Sequence, residues 1–211
     1  MNIIITGSNR GIGAAIAKNW CSLDSKNLYY GISRYNDFDV KNSNCLDELL
    51  SFEFEKEYRP IALINNAGTI KLGSINELSF DDWKEQFDVN VHGVFNCSKA
   101  YIKYCMKNNI EGKIINIAST AGLNARPGRA AYSATKAAVI NFSLSLSEEL
   151  RSYNIKVYCV CPGACDTDMR HYINPDDDFE NMMKPEEVAI FICDLINYGN
   201  NLDGQILTIK K

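Results

Sequence analysis

Short apolar runs alternate with segments of helical period along this chain, and that alternation constrains its fold more than any other feature. "NIIIT" (2–6), "NLYYGIS" (27–33), "IALIN" (61–65), "KIINIAS" (113–119), "IKVYCVC" (155–161) and "GQILTI" (204–209) read as strands, with "FDV" (38–40) as a very short additional one. Between them, residues 11–23, 46–58, 79–109, 129–152 and 184–197 carry apolar positions at helical spacing. Residues 79–109 fit one long helix or two abutting ones, with Ser79 as the N-cap. Pro185 and the two glutamates after it open the last helix. Apolar strands separated by helices form a parallel sheet covered on both sides. The expected architecture is α/β, a doubly wound parallel sheet with helices on both faces. No repeat, low-complexity tract or linker divides the chain, so one domain over residues 1–211 is expected. Ligands of such sheets bind outside the carboxyl ends of the strands.

Composition narrows the partners. A formal net charge of -4 sets the chain against nucleic acid and anionic membrane surfaces, neither of which attracts an acidic protein. No apolar run approaches the ~20 residues of a membrane span. The N-terminal "MNIIITGSNR" does not read as a signal peptide, and a cytoplasmic location is expected. Eight cysteines in that compartment are expected to be free thiols. Cys159, Cys161 and Cys165 lack a CxxC spacing and the chain holds only His92 and His171, so no metal site is expected.

The chemistry-bearing residues fall at strand ends. "TGSNRGIG" (6–13) sets Gly7, Gly11 and Gly13, with Ser8, Asn9, Arg10 and Ile12 among them, between the first strand and the first helix. Glycine there permits a tight turn and close approach, and the helix N-terminus offers free N–H groups to a diphosphate. In dinucleotide-binding folds an acidic residue about 20 positions further on binds the ribose 2′-hydroxyl, whereas arginine accommodates a 2′-phosphate. Arg34 ends the second strand and Arg10 lies in the glycine turn, which favours NADP, while Asp37 and Asp39 keep NAD possible. Tyr132 and Lys136 stand four residues apart on a helix, so a phenol and an ammonium share one face. Tyr132 alone among the eleven tyrosines has a lysine at that spacing. An ammonium beside a phenol favours the phenolate, which brings a group of pKa near ~10 within reach of acid–base work at neutrality.

With these motifs in order, the chain resembles a short-chain dehydrogenase/reductase. That family's T-G-x-x-x-G-x-G appears as Thr6 to Gly13, N-N-A-G as Asn65, Asn66, Ala67 and Gly68, and N-x-x-G as Asn90 to Gly93. Its active-site serine appears as Ser119, Y-x-x-x-K as Tyr132 to Lys136, and P-G as Pro162-Gly163, so the likeness runs through nearly the whole chain. The resemblance implies a Rossmann-type fold and hydride transfer between a nicotinamide cofactor and a small carbonyl or alcohol. It implies Tyr132 as general acid or base, Lys136 lowering its pKa and holding the nicotinamide ribose, and Ser119 bonding the substrate oxygen. Asn90 would hold a water between Lys136 and solvent. It further implies that Asn65 to Gly68 line the adenine side, that Asp39 meets the adenine amine, and that Pro162, Gly163 and Thr167 flank the nicotinamide. Residues 90–108 and 129–152 resemble the helices that pair subunits, implying a homodimer or homotetramer.

Two departures from the family pattern stand out. Only Tyr35, Asn36, Asp37 and Phe38 separate Arg34 from Asp39, where the family has a full helix, so a more open adenosine side is expected. Residues 164–183 make a short lid in which His171 and Tyr172 are candidate lining residues. Arg126 and Arg129, between Ser119 and Tyr132, are candidates to meet an anionic substrate, although loop arginines ordinarily face water. Two other readings compete. A non-catalytic dinucleotide-binding regulatory protein is possible on fold grounds, but intact Ser119, Tyr132, Lys136 and Asn90 argue against it. A sugar-nucleotide epimerase or dehydratase shares Y-x-x-x-K, but the chain is too short for a separate substrate domain.

Overall fold

The isoleucines of the first strand define the layers. In the computed structural model, which describes residues 1–34, 38–51 and 58–211, strand β1 (Asn2–Thr6) is buried on both faces. Ile3 and Ile5 point to one side and Ile4 to the other, as the two-residue period of a strand requires. Helices α1 (Gly11–Leu23) and α7 (Pro185–Tyr198) cover the first side with Ile16, Trp20, Val188 and Ile192. Helices α4 (Gly93–Asn108) and α5 (Ala130–Leu150) cover the second with Cys97, Tyr101, Leu146 and Leu150, beside the short α2 (Asp47–Ser51). Each fully buried isoleucine stabilises the fold by roughly 1.5–3 kcal/mol relative to exposure.

The remaining strands are β2 (Leu28–Ile32), β3 (Pro60–Asn65), β4 (Gly112–Ile117), β5 (Ile155–Pro162) and β6 (Ile206–Ile209). They form one parallel sheet in the order β2-β1-β3-β4-β5-β6. The winding reverses between β1 and β3, which opens a crevice at their carboxyl ends. Buried polar side chains bind the layers across the sheet. Asn65 Nδ2 donates to Asn116 Oδ1 (2.8 Å) and Ser98 Oγ (3.0 Å), and Asn116 Nδ2 donates to Ser143 Oγ (2.9 Å). Seven of the eight cysteines are buried thiols. Among the described residues no helix is long and apolar enough to cross a membrane.

Three segments differ from, or extend beyond, their sequence readings. The expected strand at 38–40 does not form. Phe38 N donates to Ser33 O (3.1 Å), Asn42 N donates to Asp39 O (3.0 Å), and Asn96 Nδ2 takes Val40 O (3.1 Å), so turns and a side chain hold these groups instead of a ladder. The long helix over 79–109 is α3 (Phe80–Phe87) joined to α4 through a π turn, Asp88–His92. Ser79 caps α3, its Oγ accepting from Asp82 N (3.0 Å). Of the helix expected over 46–58, α2 is the described part, and residues 52–57 lie outside the described residues.

Candidate active site

The turn between β1 and α1 is pressed onto the end of β3. Gly7 has φ +69, and a Cβ there would lie 2.9 Å from Ala67 Cα. Gly13, in the first turns of α1, leaves no room at all, since its Cβ would lie 2.2 Å from Gly7 O. Thr6 Oγ1 accepts from Asn66 N (3.0 Å) and Ala67 N (2.9 Å), while Asn66 Nδ2 donates to Thr6 O and Gly7 O (both 3.0 Å). Arg10, the N-cap of α1, makes no side-chain cap bond. The amino end of that thirteen-residue helix therefore faces the crevice without a protein side chain capping it.

A cavity of about 500 Å³ runs along the carboxyl ends of the strands. Gly7, Asn9, Arg10, Gly11, Ile12, Arg34, Asp39, Asn66, Ala67 and Gly68 line one end. Asn9 Nδ2 donates to Ser33 Oγ (2.9 Å), joining the glycine turn to the end of β2. Arg10 and Arg34 are exposed on this wall, whereas Asp39 is occupied by Lys41, through its backbone N (3.0 Å) and its ammonium (3.6 Å). Gly11 has φ +52, a backbone conformation that favours glycine, and it sits beside Thr167 at the start of α6 (Asp168–Ile173). An uncapped helix start and two exposed guanidinium groups without an ion pair among the described residues fit a dinucleotide phosphate chain.

Ser119, Tyr132, Lys136, Pro162, Gly163 and Thr167 line the other end. Ser119 sits just beyond β4, accepts from Ala121 N (3.1 Å), and shares the cavity wall with Tyr132. Lys136 is 5 % exposed, with Nζ 5.8 Å from the Tyr132 ring centre and donating to Ile117 O (2.8 Å). Burial lowers its pKa to about 8. The depressed phenol pKa implied by the resemblance is not what this geometry yields. Burial of Tyr132 pushes its pKa above the ordinary value, and the Ser119 hydroxyl and the Arg129 charge offset only part of that rise. Lys136 is held off by the Ile117 carbonyl and lies against the ring.

Four expected site residues lie off the cavity wall. Ser8 and Gly13 are buried beneath the glycine turn, and Asn65 is engaged in the polar network of the core. Asn90, in the π turn, commits its whole side chain to the protein. Its Nδ2 donates to Thr69 O (2.9 Å) and Thr135 Oγ1 (3.0 Å), and its Oδ1 accepts from Thr69 N (2.8 Å). That side chain fixes the β3 loop against α5. Thr167 does two things at once, capping α6 at Arg170 N (3.3 Å) and lining the cavity. Asp37 lies outside the described residues.

The short chain dehydrogenase family profile matches residues 1–178. The chain belongs to that family. Among similar proteins is a 3-oxoacyl-(acyl-carrier-protein) reductase of Synechocystis sp., 33% identical over 210 residues and matched over 88% of this chain and 85% of that one. The solved structure of ElxO with NADP bound superposes with TM-score 0.87 at 25% identity, covering 99% of this chain and 96% of that one. A 4-hydroxyisoleucine dehydrogenase mutant complexed with NADH and succinate gives TM-score 0.87 at 26% identity, with the same coverage.

In this short-chain dehydrogenase the lid contributes residues that the motif reading missed. Met169, Arg170, Ile173 and Asn174 face the cavity, together with Ile70, Glu85 and Val89 from the segments after β3. His171 and Tyr172 point the other way. The His171 ring stacks on Phe179 (3.7 Å between centres) and pairs with Asp166 (2.8 Å), and Tyr172 is 59 % exposed. Met169 and Ile173 are four residues apart in α6, so helical period was the signal that separates the inward residues from His171 and Tyr172.

Proposed function

We propose that this chain is an NADP(H)-preferring reductase that transfers hydride between the nicotinamide and a small carbonyl compound, or oxidises the corresponding alcohol. The observation that carries this reading is the buried Tyr132 phenol, which shares with Ser119 and Lys136 a cavity wall that continues into the glycine turn. A bound nicotinamide dinucleotide supplies the hydride. Ser119 orients the substrate oxygen, and Tyr132 delivers a proton to that oxygen. Its raised pKa keeps the phenol protonated at neutral pH, the form that reduction requires. Lys136, which donates to Ile117 O, would hold the ribose hydroxyls, Pro162 and Gly163 would flank the ring, and Gly68 leaves space beside Lys136. Arg10 and Arg34 favour the 2′-phosphate form, because Lys41 already occupies the nearby Asp39 carboxylate. Relatives have been solved with NADP and with NADH. The protein acts in the cytoplasm as a homodimer or homotetramer paired through α4 and α5.

Fluorescence titration with NADPH and NADH, followed by 340 nm assays on ketones and aldehydes, tests this. NADPH binds the more tightly, and Tyr132→Phe lowers turnover at least a hundredfold with cofactor affinity within about twofold. Equal turnover by the variant removes Tyr132 from the mechanism, and binding of neither cofactor overturns the reading.

A further inference from the structure

Three arginines gather at the substrate end of the cavity, Arg126, Arg129 and Arg170. Arg129 is partly buried at the N-terminus of α5, three residues before Tyr132, where the positive end of a 21-residue helix adds to its charge. Its Nη2 donates to Asn174 Oδ1 (3.1 Å), a neutral partner. Among the described residues neither Arg126 nor Arg129 forms an ion pair. The acid closest to the cluster, Asp177, is taken by both Nε and Nη2 of Arg170, with Asn174 Nδ2 on its other oxygen (3.3 Å). The carboxylates on the cavity wall are engaged or lie elsewhere. Asp39 faces Lys41 (3.6 Å), Glu85 faces Lys71 (3.8 Å), and Asp168 sits in the first turn of α6. Burial and the charges of Arg170 and Arg126 lower the pKa of Arg129, and the Asp177 carboxylate offsets only part of that. A protein of net charge -4 thus keeps an unneutralised positive pocket beside its candidate acid.

We infer that this end of the cavity receives an anionic oxygen-bearing group, carboxylate or phosphate, carried within a few bonds of the substrate carbonyl, with Arg129 and Arg126 as its specificity-determining residues. The inference rests on the reductase reading for the position of the carbonyl. Arg129 is the N-cap of α5 and Tyr132 lies in the first turn of that helix, and both line the same cavity, so an anion on the guanidinium and an oxygen on the phenol meet at one helix start. A guanidinium carries five donors in a planar fork, and an arriving carboxylate or phosphate takes two of them side by side. Tethering the lid requires only the Arg129–Asn174 and Arg170–Asp177 contacts. The exposed Arg126 has no such structural duty.

Calorimetry on the protein saturated with NADP+, a state in which no reduction occurs, decides the matter with three probes. Acetoacetate carries a carboxylate, dihydroxyacetone phosphate a phosphate, and methyl acetoacetate no charge. At least one anionic probe binds tenfold or more tightly than methyl acetoacetate, and which one it is identifies the group. Arg129→Gln and Arg126→Gln each cut that preference at least fivefold. Arg126→Gln serves as the control against misfolding, since its side chain is exposed and forms no ion pair among the described residues. Equal affinity for all three probes, no binding of either anion, or a preference that survives both substitutions overturns the inference. Anion binding that depends on the arginines, without NADPH oxidation by any carbonyl compound at 340 nm, leaves the anion site standing and removes the reductase reading instead.

Discussion

Lys136 keeps a charge where charge is costly. Its pKa falls from 10.5 to about 8 on folding because burial strips water from the ammonium. The unfolded chain therefore binds more protons than the folded one between those two values, and stability rises with pH across that window. Below pH 8 the full penalty applies. Lys136→Met is accordingly expected to raise stability at pH 7 by an amount on the order of 2 kcal/mol while abolishing turnover. Urea denaturation of both proteins from pH 7 to 10.5 checks the sign, because the advantage of the variant shrinks above pH 8. Spacing put Tyr132 and Lys136 on one helix face and the family resemblance added Ser119, and all three line the same cavity. The direction of the Tyr132 shift was not legible in the chain. It depends on how deeply the phenol is buried and on the Ile117 carbonyl that holds the ammonium away, and neither is encoded within one helical turn.

Elements behave in the same divided way. The strands and long helices followed from apolar period, since β1, β3, β4 and β5 lie between two helical layers and must be apolar on both faces. The strand expected at 38–40 failed because a three-residue apolar pattern carries no information about who accepts from its N–H groups. Here Asn96, 56 residues away from Val40, takes the carbonyl. What binds the layers is equally invisible to period. Asn116 on β4 reaches Asn65 on β3 and Ser143 on α5, and loss of its side chain leaves buried donors and acceptors without partners. Asn116→Ala is expected to cost about 2–3 kcal/mol, measured as a lowered urea midpoint with an unchanged slope. A change below about 0.5 kcal/mol would show that the network contributes little net stability.

For the whole molecule, the parallel sheet puts every functional loop at one edge, and the winding order assigns those loops to two ends of one cavity. The end nearest β2 carries Arg10 and Arg34, and the end beneath the lid carries the arginines around Tyr132. Cofactor binding therefore stabilises the fold by mass action. NADPH at a hundred times its Kd adds about 2.7 kcal/mol, a rise of roughly 5–10 °C in Tm for a domain of this size. NADH at the same concentration gives a smaller rise, and Arg34→Ala brings the two together in a thermal-shift experiment; an unchanged gap would remove Arg34 from cofactor choice. The lid itself hangs between fixed points. It leaves β5 at Pro162-Gly163, returns through the Cys165–Met183 bridge, and is anchored by Lys184 on Asp166 (2.9 Å) before α7 begins. Segments of other lengths and sequences can be spliced in place of residues 168–182 without touching a strand, those anchors or Thr167, so a new substrate range is open to exchange of a fifteen-residue cassette.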